Sequence, residues 1–229
     1  MSISSATIRA FAVSAVLGVS AVSANAGLAI PLNFTVSDSV QVFPTLVMRA
    51  FKAVDIKVDA GGTATALDAP NIGNNSTTFD FPITRIVIGP RLNIANGSAV
   101  GAALIFKRDN DDGITKTLTL ANFTIDYDRK QVLADTTHSG LPTSRQLPIY
   151  NFKVATPLGL KYQFPLNISG YEQLNDLRLT PEAKKAYTDG LELPVFAVPS
   201  LESDFGTLSQ TVTLKLRSTP ISTRPYEAK

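Results

Sequence analysis

Thr117-Leu118-Thr119-Leu120-Ala121-Asn122-Phe123-Thr124-Ile125-Asp126-Tyr127-Asp128-Arg129-Lys130-Gln131-Val132-Leu133-Ala134-Asp135 alternates apolar and polar side chains with a period of two, which is the period of a strand. Leu118 and Leu120 share one parity, whereas Phe123, Ile125 and Tyr127 share the other. The buried face must therefore change register near Ala121-Asn122, and a β-bulge or bend there accomplishes it. Asp128-Arg129-Lys130 reads as a turn and Gln131 to Asp135 as the return strand of a hairpin.

The same period recurs on both sides. Val54, Ile56 and Val58 alternate with Asp55, Lys57 and Asp59, and Val212, Leu214 and Leu216 alternate with Thr211, Thr213, Lys215 and Arg217. Phe79-Asp80-Phe81, the run Ile83 to Ile88 closed by Gly89-Pro90, and Val100 to Phe106 are bounded by Gly, Pro or Asn. One helix stands out at about 181–189, where Thr180 is an N-cap, Pro181 suits the first position, Glu182 complements the positive helix end and Gly190 is a stop. Leu174 to Leu179 has no clear period. Gly61 to Thr78, rich in Gly, Ala, Asn, Ser and Thr, reads as a long exposed loop. The expectation is an all-β fold, a mostly antiparallel β-sandwich with one short α-helix, forming a single domain over 27–229; a sub-boundary near the 61–78 loop is the alternative.

Composition narrows the class. The chain has 229 residues, 44 % hydrophobic and 17 % charged, with a net charge of +2. That balance fits strands buried on at least one face and gives no basic footprint for nucleic acid. There is no cysteine, so neither disulfides nor thiol chemistry is available. Residues 1–26 read as a secretory signal peptide: Arg9 supplies the positive region, Phe11 to Val22 the apolar run and Ala24-Asn25-Ala26 the cleavage site. The apolar run is short of the roughly 20 residues of a spanning helix, and no stretch after residue 26 approaches one. Export to the periplasm, the cell surface or the medium follows.

The catalytic inventory is thin. His138 is the single histidine, it stands in a polar turn without a G-x-S-x-G elbow, and the chain has five glutamates and no tryptophan. A serine triad, a zinc site and a sugar platform all lack their usual parts, so a non-enzyme is expected. Asp109-Asn110-Asp111-Asp112-Gly113 has two readings. Asp109, Asp111 and Asp112 are hard oxygen ligands of the kind calcium takes, yet the closing Glu of an EF-hand is missing. The same residues also make a hairpin turn between two strands. Tyr127 and Tyr150, like the other tyrosines, serve either as core aromatics or as lining of a ligand pocket. Leu28, Ile30, Leu32, Phe34 and Val36 form an apolar, extended stretch at the start of the processed chain. It is either a first strand in its own sheet or an assembly strand lent to another copy.

Thr117 to Asp126, the return Val132-Leu133-Ala134-Asp135 and the later Leu177-Arg178-Leu179-Thr180-Pro181-Glu182-Ala183 together resemble secreted bacterial all-β proteins of the HtaA-like kind over roughly residues 114–205. The resemblance implies an exported β domain. Some members of that family bind haem through a tyrosine and a histidine, so it also implies a carrier alternative in which His138, Tyr127 and Tyr150 would face haem or another apolar ligand. The haem motif of those members has no residue-by-residue match here. The expected function is therefore that of an exported surface or extracellular binding or structural protein, free of cofactors, with other copies of itself or surface components as partners. A small outer-membrane barrel is the third reading, and the lack of ten-residue repeats and the polar 61–78 segment count against it.

Overall fold

The 117–135 hairpin lies in the middle of one antiparallel sheet. A computed structural model describes residues 28–89, 94–163 and 167–228; the expected signal peptide at 1–26 lies outside the described residues. β8 (Thr115–Asp126) pairs with β9 (Gln131–His138), and the register shifts between Ala121 and Thr124, where Asn122 stands at φ 54°. The change of face between Leu120 and Phe123 is thus made by a bulge, with Asn in the left-handed region that it tolerates better than most residues.

The other strands are β1 (Leu28–Pro31), β2 (Thr35–Val42), β3 (Lys57–Gly62), β4 (Thr65–Ala66), β5 (Thr78–Pro82), β6 (Arg85–Ile88), β7 (Ile94–Asp109), β10 (Ser144–Gln163), β11 (Asn167–Leu179) and β12 (Thr207–Leu216). Their order is β1-β6-β7-β8-β9-β10-β11-β12-β2-β5-β4, with β3 on β7. Two strand pairs close this path into a ring. β5 lies on β2, and two residues later its continuation β6 lies on β7; β3 lies on β7, and its continuation β4 on β5. A strand that changes partner at a bend is how packed sheets turn corners. The all-β, mostly antiparallel fold holds, and its two layers are opposite walls of one curled sheet: Phe81 on β5 meets Phe123 on β8 with ring centroids 5.0 Å apart.

The helix expected near 181–189 is α2 (Pro181–Gly190), capped by Thr180, whose Oγ1 accepts from the Ala183 amide at 3.1 Å and donates to the Pro148 carbonyl at 2.6 Å. It has company, which corrects the expectation of one helix. α1 (Thr45–Ala53) buries Val47, Met48 and Phe51, and a 3₁₀ segment runs over Val195–Glu202. α1 begins after Pro44 with no side-chain cap and no acidic residue in its first turn, so the usual start signals are missing. Val54-Asp55 is its exit, with Asp55 at φ 56°, and the strand read from Val54 starts at Lys57. Leu174–Leu179 is the end of β11.

α1, α2 and the 3₁₀ segment close one end of the ring. Beneath them Phe43, Phe51, Phe106, Tyr187 and Phe205, each at most 3 % exposed, make mostly edge-on contacts 5.0–6.5 Å apart. Arg108, 6 % exposed, fastens this end. It donates through Nε to the Val54 carbonyl at 3.1 Å and through Nη1 to the Leu191 and Glu192 carbonyls at 3.3 and 2.8 Å. Those carbonyls are the unsatisfied ends of both helices, and a guanidinium both bonds them and offsets the negative helix terminus.

The loop expected at 61–78 is built, and not merely exposed. Asn75 is 1 % exposed; its Nδ2 donates to the Ile56 carbonyl at 2.9 Å and its Oδ1 accepts from the Val58 amide at 2.8 Å, so it mimics a neighbouring strand at the edge of β3. Asp68 accepts from the Thr77 hydroxyl at 2.7 Å and from the Thr77 and Thr78 amides at 3.0 Å, and these bonds, the hydroxyl first, hold its carboxyl below the usual range against the opposing pull of burial. β3, β4 and β5, which this segment spans, all belong to the ring.

Candidate functional site

The interior away from the helices is polar on one wall. The inward residues of β2 are Thr35, Ser37, Ser39 and Gln41, all at most 9 % exposed. Three of them find partners: Thr35 Oγ1 and Ser37 Oγ share a hydrogen bond at 2.9 Å, and Gln41 Nε2 donates to the Tyr150 hydroxyl at 3.3 Å. Next to them, on β11 and β12, Glu172 and Gln210 join Tyr127. The Tyr127 hydroxyl donates to Glu172 Oε2 at 2.5 Å, and Gln210 Nε2 donates to both at 2.9 Å. Burial pushes the Glu172 carboxyl up, against the Tyr127 hydrogen bond that favours its charged form. Burial, followed by the Glu172 charge, likewise drives the Tyr127 phenol far above its ordinary value.

Between the polar wall and Phe81, Phe123, Ile125 and Val132 the free space is about 30 Å³. That volume admits a water; pockets for small-molecule ligands run to roughly 300–1,000 Å³. The ring is filled by its own side chains.

The three residues suggested for haem do not meet. Tyr150 is 2 % exposed at the centre of the core, where burial pushes its phenol up to about 12. His138 pairs with Leu118 near the start of β8, whereas Tyr127 follows its end, which separates them by roughly 25–30 Å at the rise of a strand. His138 lies against Gly190 of α2, close enough that a Cβ there would come within 3.2 Å of the imidazole. Burial lowers its pKa, with Asp189 opposing.

The Asp109–Gly113 segment is the turn between β7 and β8. Asn110 shapes it, with its Oδ1 accepting from the Asp112 and Ile114 amides at 3.1 and 2.8 Å. Asp109 accepts from Thr115 Oγ1 at 2.6 Å, and Asp111, 97 % exposed, lies 3.4 Å from Arg108. The carboxylates thus point to different partners, and among the described residues no three acidic or histidine side chains gather as a cation would need. In the proposed assembly strand, Leu28 and Ile30 pair in cis with Ile88 and Ile86 of β6. Leu32 is buried, Val36 half-buried, and Leu28 and Phe34 are exposed.

No protein-family model matches the sequence, and no curated protein matches it. Among solved structures, the C-terminal domain of HtaA from Corynebacterium glutamicum is similar at 14 % identity, with a TM-score of 0.47 over 79 % of this chain and 98 % of that domain. It is of the kind that residues 114–205 resemble.

Two further features escaped the sequence. Asp80 on β5 has a buried Oδ1 without a hydrogen-bond partner. Burial and the neighbouring Asp38 raise its pKa to about 6, with Arg217 pulling the other way. Arg217 itself donates through Nε to the Thr35 carbonyl at 2.7 Å and pairs with Asp38. On the outside of the helix-closed end, Leu46 on α1 and Val195 and Phe196 on the neighbouring 3₁₀ segment are 69, 88 and 75 % exposed. Neither feature left a local sequence signal, since the burial of Asp80 depends on Asp38 and Arg217, which lie far away along the chain.

Proposed function

We propose that the protein is an exported bacterial β domain without enzymatic activity, working through its outer surface as a binding or structural component of the periplasm or the cell exterior. The observation that carries this reading is the filled ring, with free interior space of about 30 Å³. A carrier needs an order of magnitude more, and the chemistry-bearing side chains are spread over separate places. What remains for contact is the surface, where Leu46 on α1 and Val195 and Phe196 on the neighbouring 3₁₀ segment expose large apolar side chains. Export rests on Arg9, the Phe11 to Val22 run and Ala24-Asn25-Ala26.

The test is fractionation of the native cell with a photocrosslinking residue at Phe196, compared with one at the exposed Thr156. The expected result is a processed chain lacking residues 1–26 in the exported fraction, with an adduct from position 196 and none from 156. Retention in the cytoplasm with residues 1–26 attached would overturn the reading. So would a saturable haem shift near the Soret band that His138→Ala abolishes.

A further inference from the structure

The segment Ser218–Ala228 has no regular secondary structure, yet the sheet is shaped to receive it. Two bulges, one in β7 between Ala99 and Ala103 and one in β8 between Ala121 and Thr124, lie side by side beneath it. Asn122 in the second bulge grips the strap by its backbone. Its Oδ1 accepts from the Tyr226 amide at 2.8 Å and its Nδ2 donates to the Tyr226 carbonyl at 3.0 Å. The same carboxamide is fixed from behind, with Oδ1 accepting from the Gly101 amide at 3.0 Å and Nδ2 donating to Asp135 Oδ2 at 3.0 Å. Two glycines clear the path. A Cβ on Gly101 would stand 2.8 Å from the Arg224 carbonyl oxygen, and one on Gly62 would stand 2.8 Å from the Tyr226 ring. Further back, the Ile221 amide donates to the Asn33 carbonyl at 2.9 Å. Bulge, left-handed asparagine, two left-handed glycines and a buried carboxylate converge on one extended Arg-Pro-Tyr segment. That is a peptide site, occupied in cis.

The occupant is held lightly. Ser218, Thr219 and Pro220 are exposed, as are Ser222–Pro225 and Glu227. Arg217, bonded to β2, anchors the end of β12 ahead of them, so the strap has a firm base and an exposed hinge at Ser218–Pro220. We infer that the Asn122 groove also accepts residues 221–228 of a second copy, so that two chains exchange straps. Every groove contact is preserved in such a pair, and the exchange costs association entropy alone; swapping an identical element is the low-cost route to a dimer. In dilute solution the tethered strap wins through its high effective concentration, and a second copy's strap competes as the protein concentration approaches that value. The inference stands on the groove and is independent of where the protein is exported.

The chain has no cysteine, which makes the test clean. Thr137 and Ala228 flank one cleft. Thr137→Cys in one copy and Ala228→Cys in another, mixed, concentrated and oxidised, should give about tenfold more disulfide-linked heterodimer than a Thr156→Cys and Ala228→Cys pair. Adding Tyr226→Pro to the strap, which removes the amide that Asn122 holds, should erase the excess. Both cysteines placed in one chain should close an internal disulfide at low concentration. An internal disulfide without excess heterodimer would overturn exchange and leave a strap used only in cis; no internal disulfide would overturn the groove itself.

Discussion

Under the helices the ring is packed by aromatic side chains: Phe205 alone touches Phe43, Phe51, Tyr150 and Tyr187. Toward the other end one wall is Thr35, Ser37, Ser39 and Gln41, continued by the Tyr127–Glu172–Gln210 cluster. The same kind of strand pairing encloses both, so the sheet does not dictate what fills it. The aromatic half is held by area removed from water, a term that tolerates no cavity. The polar half is held by mutual satisfaction, in which each group matters because its partner would otherwise be buried alone. The two halves should therefore fail differently under mutation.

The largest effect belongs to the aromatic half. Phe205→Ala should cost about 3–5 kcal/mol, from lost transfer energy and the cavity left among four rings. Against a typical domain stability of about 5–15 kcal/mol that leaves the protein close to unfolding, as urea titration will read. A loss below about 1 kcal/mol would mean that the helices collapse onto the gap and that this end is looser than its packing implies.

Tyr127→Phe probes the polar half with almost no change of volume. The Glu172 carboxylate would keep Gln210 and lose its closest donor, at a cost of about 1.5–3 kcal/mol, the range for a hydrogen bond to a charged group. Because that bond lowers the Glu172 pKa against the upward push of burial, the loss should be greatest at neutral pH and shrink toward pH 4, where the carboxyl is protonated in wild type and variant alike. Thermal melts across that range check it; a pH-independent loss would show that packing, and not the charge, is what the hydroxyl serves.

The contrast also explains what could be read from the sequence. The aromatic half is made of residues whose burial is predictable one at a time, and the Leu118–Asp135 hairpin announced even its bulge by a change of parity. α2 declared itself through Thr180, Pro181 and Gly190. α1 did not, because Pro44 supplies no capping side chain and the helix is supported by tertiary burial of Val47, Met48 and Phe51, the last against Phe106 and Phe205. The polar half was illegible for the same reason in stronger form. Glu172, Gln210 and Tyr127 are separated by tens of residues, and nothing local marks Asn122 as the residue that holds Tyr226 104 positions away. His138 drew attention by its rarity, yet rarity in a sequence is no guide to what a side chain touches.

A third substitution asks whether a polar group on the outside of the polar half carries a cost. Asp80, on the outer face of β5, has its pKa raised from 3.8 to about 6 by burial and by Asp38. For an acid, a folded pKa above the unfolded one means that the folded state binds the proton more tightly. The penalty is absent below about pH 4, grows between pH 4 and 6 and is complete above it. Asp80→Asn should therefore stabilise the protein by about 1–2 kcal/mol at pH 7, after allowance for screening of a partly exposed group, and should be neutral at pH 4. Destabilisation at pH 7 would show that the attraction of Arg217 outweighs desolvation, making Asp80 part of the anchor on which the strap hinges.

The smallest effect is expected at the border of the aromatic half, in the turn Asp109–Gly113. There the side chain that works is Asn110, whose Oδ1 takes two backbone amides and whose Nδ2 donates to Glu192 just after α2 at 2.8 Å. Asp112 only lends its backbone amide. Asp112→Ser should change stability by no more than about 0.5 kcal/mol, as exposed substitutions generally do. Millimolar calcium should leave the melting temperature of both forms unmoved, because a cation bound only by the folded state would raise it through mass action. A calcium-dependent rise that Asp112→Ser removes would place a charge-neutralising site beside Arg108 and the helix ends, and the helix-closed half would then owe part of its stability to an ion as well as to its rings.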